Sequence, residues 1–351
     1  MTAPTLDVHA HVWLDEVEEL ARAHRGYREA AELEKRRLGA RSTAVNAEQS
    51  AHLRGLLTDV TARLTAMDAA GIDAQVVSVV PTQYHGWADR KLAAKIAEAT
   101  NAGVAAHCAL APHRLAGLGV VPLQHPDLAV TALHNAMLGH GLKGVEISSH
   151  AVDPAGGTLE LSDARLDTFW ENACDLGAAV LLHPWGCTLD ERLDRWYLAN
   201  SVGQPVEHAV ALSHLIFGGV LDRYPGLRLI AAHGGGYLSA FAARADHAWH
   251  NRRDARECLE PPSAYLRRMW FDSLVHSPVA LRRLVDTAGA DRILLGSDFP
   301  FDMGTADPLA ALRAADLTAA DVTAIASGNA AGLHLMPVDM PVDQMCPLRK
   351  E

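Results

Sequence analysis

Thr5-Leu-Asp-Val-His-Ala-His-Val-Trp13 is an apolar run that carries two histidines one residue apart. In an extended strand, residues i and i+2 point to the same face, so His9 and His11 can turn two imidazole nitrogens toward one point. Standing alone, a His-x-His is more often a pair of packed or surface side chains than a metal site. The rest of the chain decides between the two readings.

Apolar runs that read as buried parallel strands recur at Thr5–Val12, Ala74–Val80, Gly117–Pro122, Lys143–Ser148, Ala178–His183, Leu227–His233, Met269–Leu274 and Arg292–Ser297. Helix-length segments separate them. This alternation indicates an α/β fold, a (β/α)8 TIM barrel rather than a doubly wound sheet, and 351 residues suffice for one large barrel. Barrel active sites form where the strands end. His9, His11, His183, His233 and Asp298 all fall near the C-terminal ends of the proposed strands.

The barrel is expected to occupy residues 1–335. Between its first two strands, residues 15–59 are charged and rich in Glu, Arg, Ala and Leu, a composition that favours helix. They are expected to form a helical insertion near the barrel mouth, either a lid or a surface decoration. Residues 336–351 repeat Met-Pro-Val-Asp twice and show no periodic apolar face, so an irregular tail is expected there.

A net charge of −11 disfavours an electrostatic footprint for nucleic acid. No apolar stretch reaches the length of a membrane span, so no membrane partner is expected. The cysteines, 108, 174, 187, 258 and 346, are odd in number and widely spaced, with no Cys-x-x-Cys pair. That pattern argues against a disulfide framework and for a reducing cytoplasm.

Catalytic Zn²⁺ takes a few His and Asp ligands and keeps one position open. His9, His11, His183 and Asp298 supply such a mixed N/O set, one that also admits other divalent metals. His183 lies in Val180-Leu-Leu-His-Pro-Trp-Gly186, and Asp298 in Leu294-Leu-Gly-Ser-Asp-Phe-Pro300. His233 opens a His-Gly-Gly-Gly turn that lets the backbone approach a ligand closely, and an imidazole titrates near neutrality. It is a candidate base.

Four segments, Asp7-Val-His-Ala-His11, Leu182-His-Pro-Trp185, Ala232-His-Gly-Gly-Gly236 and Gly296-Ser-Asp-Phe-Pro-Phe301, resemble the amidohydrolase superfamily, in particular its metal-dependent decarboxylase branch. The similarity continues through Arg244–Trp249, Pro261–Tyr265, Phe271-Asp-Ser273 and Ser327–Ala330. The resemblance implies one catalytic Zn²⁺ on His9, His11, His183 and Asp298, with His233 activating the bound water. It further implies a homodimer in which Arg244 reaches the neighbouring site to hold a substrate carboxylate, a task suited to a guanidinium fork. Arg54, in Ala51-His-Leu-Arg-Gly55, is the nearest match to a second carboxylate-binding arginine. Trp196, in the segment that starts at Asp190, and Phe301 are expected beside the substrate, whereas Asn200 replaces a bulky aromatic of the family. Glu146 is mid-strand and can point inward, but it reads as a carboxylate held by polar neighbours, leaving a single metal.

The implied reaction is decarboxylation of a small unsaturated or aromatic carboxylic acid. For a dienoic acid, hydroxide would add to an activated double bond before CO₂ leaves; for an aromatic acid, an acid would protonate the ring. A hydrolase or hydratase acting on a lactone, amide or unsaturated acid is the alternative that the same residues allow.

Overall fold

The computed structural model describes residues 4–187 and 189–338. The strands are β1 (Leu6–Val12), β2 (Ala74–Val79), β3 (Leu115–Gly117), β4 (Gly119–Val120), β5 (Gly144–Ile147), β6 (His150–Val152), β7 (Thr158–Glu160), β8 (Ala179–Leu182), β9 (Arg228–Ala231), β10 (Trp270–Asp272) and β11 (Ile293–Leu294). One sheet orders as β1-β2-β3 and another as β11-β10-β9-β8-β5-β4, with every pairing parallel. Hydrogen bonds link the two sheets on both sides. The Leu118 N–H donates to the Val77 carbonyl at 2.9 Å, and the Val8 N–H to the Leu295 carbonyl at 2.8 Å. The Asp298 N–H likewise donates to the His9 carbonyl at 2.8 Å.

Each of the eight expected runs contains strand, with trimmed ends. The third begins earlier than expected, at Leu115, and is divided at Leu118. His183 and His233 stand just past β8 and β9, because burial continues beyond the last ladder hydrogen bond. The antiparallel hairpin β6–β7 was not anticipated.

Side-chain alternation sorts the strands into two cores. Val180, Leu182, Leu229 and Ala231 pack outward with the helices, whereas Ala179, Leu181, Ile230 and Ala232 meet Leu6, Val8, Ala74 and Leu294 inside. β1 breaks this rule in a useful way. Leu6 and Val8 face the inner core while Ala10 and Val12 face outward, and the pairing register shifts between Asp7 and Ala10. A bulge of this kind re-aims the residues that follow. It returns His9 and His11 to the interior, above the apolar plug formed by Leu6, Val8, Leu333 and Leu335.

Between β1 and β2 the chain is helical: α1 (Asp15–Arg22), α2 (Arg25–Thr58) and α3 (Val60–Ala70). Gly39 interrupts α2 with φ 74° and ψ 157°, and a Cβ at that position would collide with the Asp194 carbonyl. The break therefore docks α2 against the segment that follows β8. The later helices are α4 (Arg90–Ala109), α5 (Pro126–His134), α6 (Asp167–Asp175), α7 (Gln204–Phe217), α8 (Val220–Arg223), α9 (Leu238–Asn251), α10 (Pro278–Ala288), α11 (Pro308–Ala314), α12 (Ala319–Thr323) and α13 (Asn329–Gly332). Most of the expected tail, residues 339–351 including Cys346, lies outside the described residues.

Candidate functional site

At the C-terminal ends of the strands the interior turns polar. His9, His11, His183 and Asp298 are all buried, and one ligand atom from each falls within 4.8 Å of every other. Among the described residues, the Nε2 atoms of the three histidines and Oδ1 of Asp298 find no hydrogen-bond partner outside the cluster, and within it His11 Nε2 lies 3.1 Å from Asp298 Oδ1. Buried polar atoms are ordinarily satisfied, so this many turned toward one point fit a bound cation.

The far side of each imidazole is held. His9 Nδ1 lies 2.7 Å from Asp272 Oδ2, His183 Nδ1 3.1 Å from the Pro184 carbonyl and His11 Nδ1 3.3 Å from the Val79 carbonyl. With Nδ1 donating in each case, the Nε2 lone pairs are left for coordination. Asp272 Oδ1 also accepts from the backbone N–H of Gly234 at 2.8 Å, which ties the β10 carboxylate to the glycine turn. Below the cluster, the buried Asp7 carboxylate accepts from the His9 N–H at 3.1 Å, Gln75 at 2.9 Å and the Ser297 N–H at 3.0 Å. These bonds bind the bulge in β1 to the turn that carries Asp298.

The electrostatics follow from crowding. Burial and the surrounding imidazoles hold His183 well below the ordinary histidine range, in the neutral form a metal requires. Burial alone would lower His9, but Asp298 and Asp272 outweigh it and raise the group to about 9. Burial would raise Asp298, yet His9, His11 and His233 keep it well below the usual carboxylate range. Asp298 and His233 both adopt left-handed backbone, φ 58° and 52°, a strain found mostly at functional positions.

His233 sits beside the cluster, its ring centroid 4.8 Å from that of His183 and its Nε2 3.4 Å from Asp298 Oδ2. It makes no part of the four-residue ligand group. Glu146 also stands apart, accepting hydrogen bonds from Ser78 and Tyr84. Phe301 flanks the cluster, its ring 5.5 Å from that of His11. The other expected substrate contacts are not gathered there. Arg54 is ion-paired with Asp15 and lies over the Trp13 ring at 5.7 Å. Trp196 is 81% exposed, and Arg244 is exposed on α9 with no partner among the described residues.

A cleft of about 430 Å³ opens between α2, through Glu34, Arg37 and Asn46, and Trp185, Tyr197 and Asn200 after β8. Burial pushes the Tyr197 hydroxyl up to about 12, with Asp302 and Asp298 adding to the effect.

Three supporting residues escaped the sequence reading: Asp272, Arg63 and His208. Asp272 lies in a quoted motif, but no spacing rule links it to His9. Arg63 is wholly buried on α3 and donates to Gln75 at 2.9 Å and to the His11 carbonyl, fixing the end of β1. His208, on α7, places Nε2 3.2 Å from Nδ1 of His233.

Comparison with known proteins gives a consistent picture. The sequence profile described as "Amidohydrolase" matches residues 6–333. A 2-amino-3-carboxymuconate-6-semialdehyde decarboxylase of Dictyostelium discoideum is 34% identical over 252 residues, 71% of this chain and 69% of that one. A gamma-resorcylate decarboxylase of Rhizobium radiobacter is 30% identical over 254 residues, 68% and 76% of the two chains. Among solved structures, a dihydroxybenzoic acid decarboxylase of Polaromonas, with bound manganese and 2-nitroresorcinol, superposes with a TM-score of 0.81 at 24% identity. That match covers 95% of this chain and 97% of the other, and it shows a shared fold.

Proposed function

From the premise that the chain belongs to the amidohydrolase family, we propose that it is a metal-dependent carboxy-lyase acting on an unsaturated or aromatic carboxylic acid. The observation that carries this reading is the convergence of the buried His9, His11 and His183 Nε2 atoms with Asp298 Oδ1. We read the two linked sheets as one (β/α)8 barrel, with residues 15–59 as a helical insertion near its mouth.

His9, His11, His183 and Asp298 would hold one divalent ion per chain. Three imidazoles and a carboxylate suit zinc, and the manganese of the Polaromonas neighbour marks a second candidate. When bound, such an ion supplies Lewis acidity and lowers the pKa of coordinated water. His233 takes or returns the proton at its Nε2, and Asp272 keeps His9 in register. Decarboxylation breaks the bond to the carboxylate carbon and leaves an electron pair, which the substrate's own conjugated system receives before a proton replaces CO₂. The Phe301 ring offers that planar system a wall.

Carboxylate recognition falls to Arg244 of a second copy of the chain and to Arg54, which would exchange Asp15 for substrate. Trp196 would come over the substrate from the segment after β8. A homodimer follows from the Arg244 assignment. The free thiols of Cys108, Cys174, Cys187 and Cys258 suit a cytoplasmic location. No helix among the described residues is long and apolar enough to cross a membrane.

Purified protein loaded with zinc or manganese and incubated with carboxymuconate-type and hydroxybenzoate acids tests the reading. Release of CO₂, lost on chelation and restored by metal, supports it. Turnover that hydrates or hydrolyses without CO₂ makes the chain a hydratase or hydrolase instead, and full activity in metal-free protein overturns the metal assignment.

A further inference from the structure

His208 contributes a buried imidazole to the site without touching the ligand cluster. It is fully buried on α7, its ring meets that of His233 edge-on at 5.4 Å between centroids, and its Nε2 lies 3.2 Å from His233 Nδ1. The glycine turn makes this approach possible. Gly236 has φ 63°, and a Cβ there would stand 2.8 Å from the His208 Cβ and collide with the Pro205 carbonyl. Two imidazoles joined in this way share one proton between the facing nitrogens, so the tautomer of one constrains that of the other.

The opposite nitrogen, His208 Nδ1, is buried and has no hydrogen-bond partner among the described residues, and the same holds for Oε1 of Gln204, the first residue of α7. With Nδ1 protonated, the two would be a donor and an acceptor four residues apart, and side chains at that spacing are neighbours on a helix. An unpaired N–H in the interior is rarely tolerated. A turn of the Gln204 side chain, or one bridging water, satisfies both atoms. Burial and the neighbouring His233 hold His208 well below the ordinary histidine range, so it stays neutral.

We propose that Gln204 and His208 form a positioning relay for His233. Gln204 Oε1 accepts from His208 Nδ1–H, and His208 Nε2 accepts from His233 Nδ1–H. His233 Nε2 then faces the ligand cluster, 3.4 Å from Asp298 Oδ2, placed to take up a proton and donate it toward that carboxylate. The relay sets the direction in which His233 can act, and it rests on the reading of His233 as the group that takes up a proton.

The test uses the full chain in metal-loaded form, with ¹⁵N-labelled histidine. Ring ¹⁵N shifts report directly which nitrogen of each imidazole is protonated, whether or not the substrate is known. The relay requires Nδ1–H on both His208 and His233; Nε2–H on His208 overturns it. In turnover, His208→Phe should lower kcat by about 10–100-fold, the range for partners that orient a functional group, with KM and bound metal unchanged. His208→Gln restores an acceptor at the same reach and should recover much of the loss. Equal kcat in wild type and His208→Phe overturns the relay, and so does failure of the Gln variant to recover while it is folded and metal-loaded. Absence of CO₂ release by the wild type would instead strike the proposed function and leave the ¹⁵N assignment standing.

Discussion

His9 shows how one residue's surroundings set the behaviour of the centre. Asp298 and Asp272 raise it to about 9, so near neutrality the metal-free centre holds a proton there. A cation seated on Nε2 must displace that proton. Metal loading at pH 7 should therefore release about one proton per ion, and the apparent affinity should climb with pH and level off above about 9. Calorimetry in buffers of different ionisation enthalpy measures the release, and metal uptake without it would remove His9 from the ligand set. Asp272→Asn should lower metal affinity about 10–100-fold, because the amide orients His9 less firmly than a carboxylate does. The four clustered residues were legible because each stands in a short motif at the end of an apolar run. Asp272 and His208 were not, since their roles depend on which buried nitrogen they face, and that is set by strands and helices distant in sequence.

At the scale of elements, the strand runs could be read from apolar patterning, but the bulge in β1 could not. Strict alternation from Leu6 and Val8 would point His9 and His11 outward, and only the register shift after Asp7 reverses this. The end of β1 is then fixed by Arg63 on α3, which donates to Gln75, to the His11 carbonyl and to the Leu56 carbonyl at 3.3 Å while lying 5.0 Å from the Phe299 ring. Burial lowers its guanidinium to about 10, so it remains charged at neutral pH. Arg63→Met keeps most of the volume and orphans these acceptors. Each buried acceptor left unmade costs about 1–3 kcal/mol, so the variant should unfold at lower denaturant and bind metal more weakly as β1 loosens. Unchanged denaturant and metal-binding curves would show that β1 holds without the arginine. The hairpin β6–β7 and the Gly39 break in α2 escaped the sequence reading for a similar reason: each is decided by what the segment packs against.

For the whole molecule, Arg244 poses the main question. It is exposed on α9 three residues after Phe241, which is 67% exposed, and the two share a helix face. An exposed aromatic beside an exposed guanidinium has the composition of an interface, where Arg and aromatic side chains are enriched. In a two-fold dimer each copy can lend its Arg244 to the other's site. Arg244→Ala and His183→Ala should then both be inactive alone, the first for want of a carboxylate contact and the second for want of a metal ligand. Mixed and re-associated, they form heterodimers in which the His183→Ala copy supplies a normal arginine to the copy with intact ligands. Half the dimers regain one site of two, so activity should return to about one quarter of wild type. The measurement is turnover after verified subunit exchange. Heterodimers with no recovery would place Arg244 within its own chain or outside the reaction, and a protein that stays monomeric at its active concentration would end the shared-site arrangement outright.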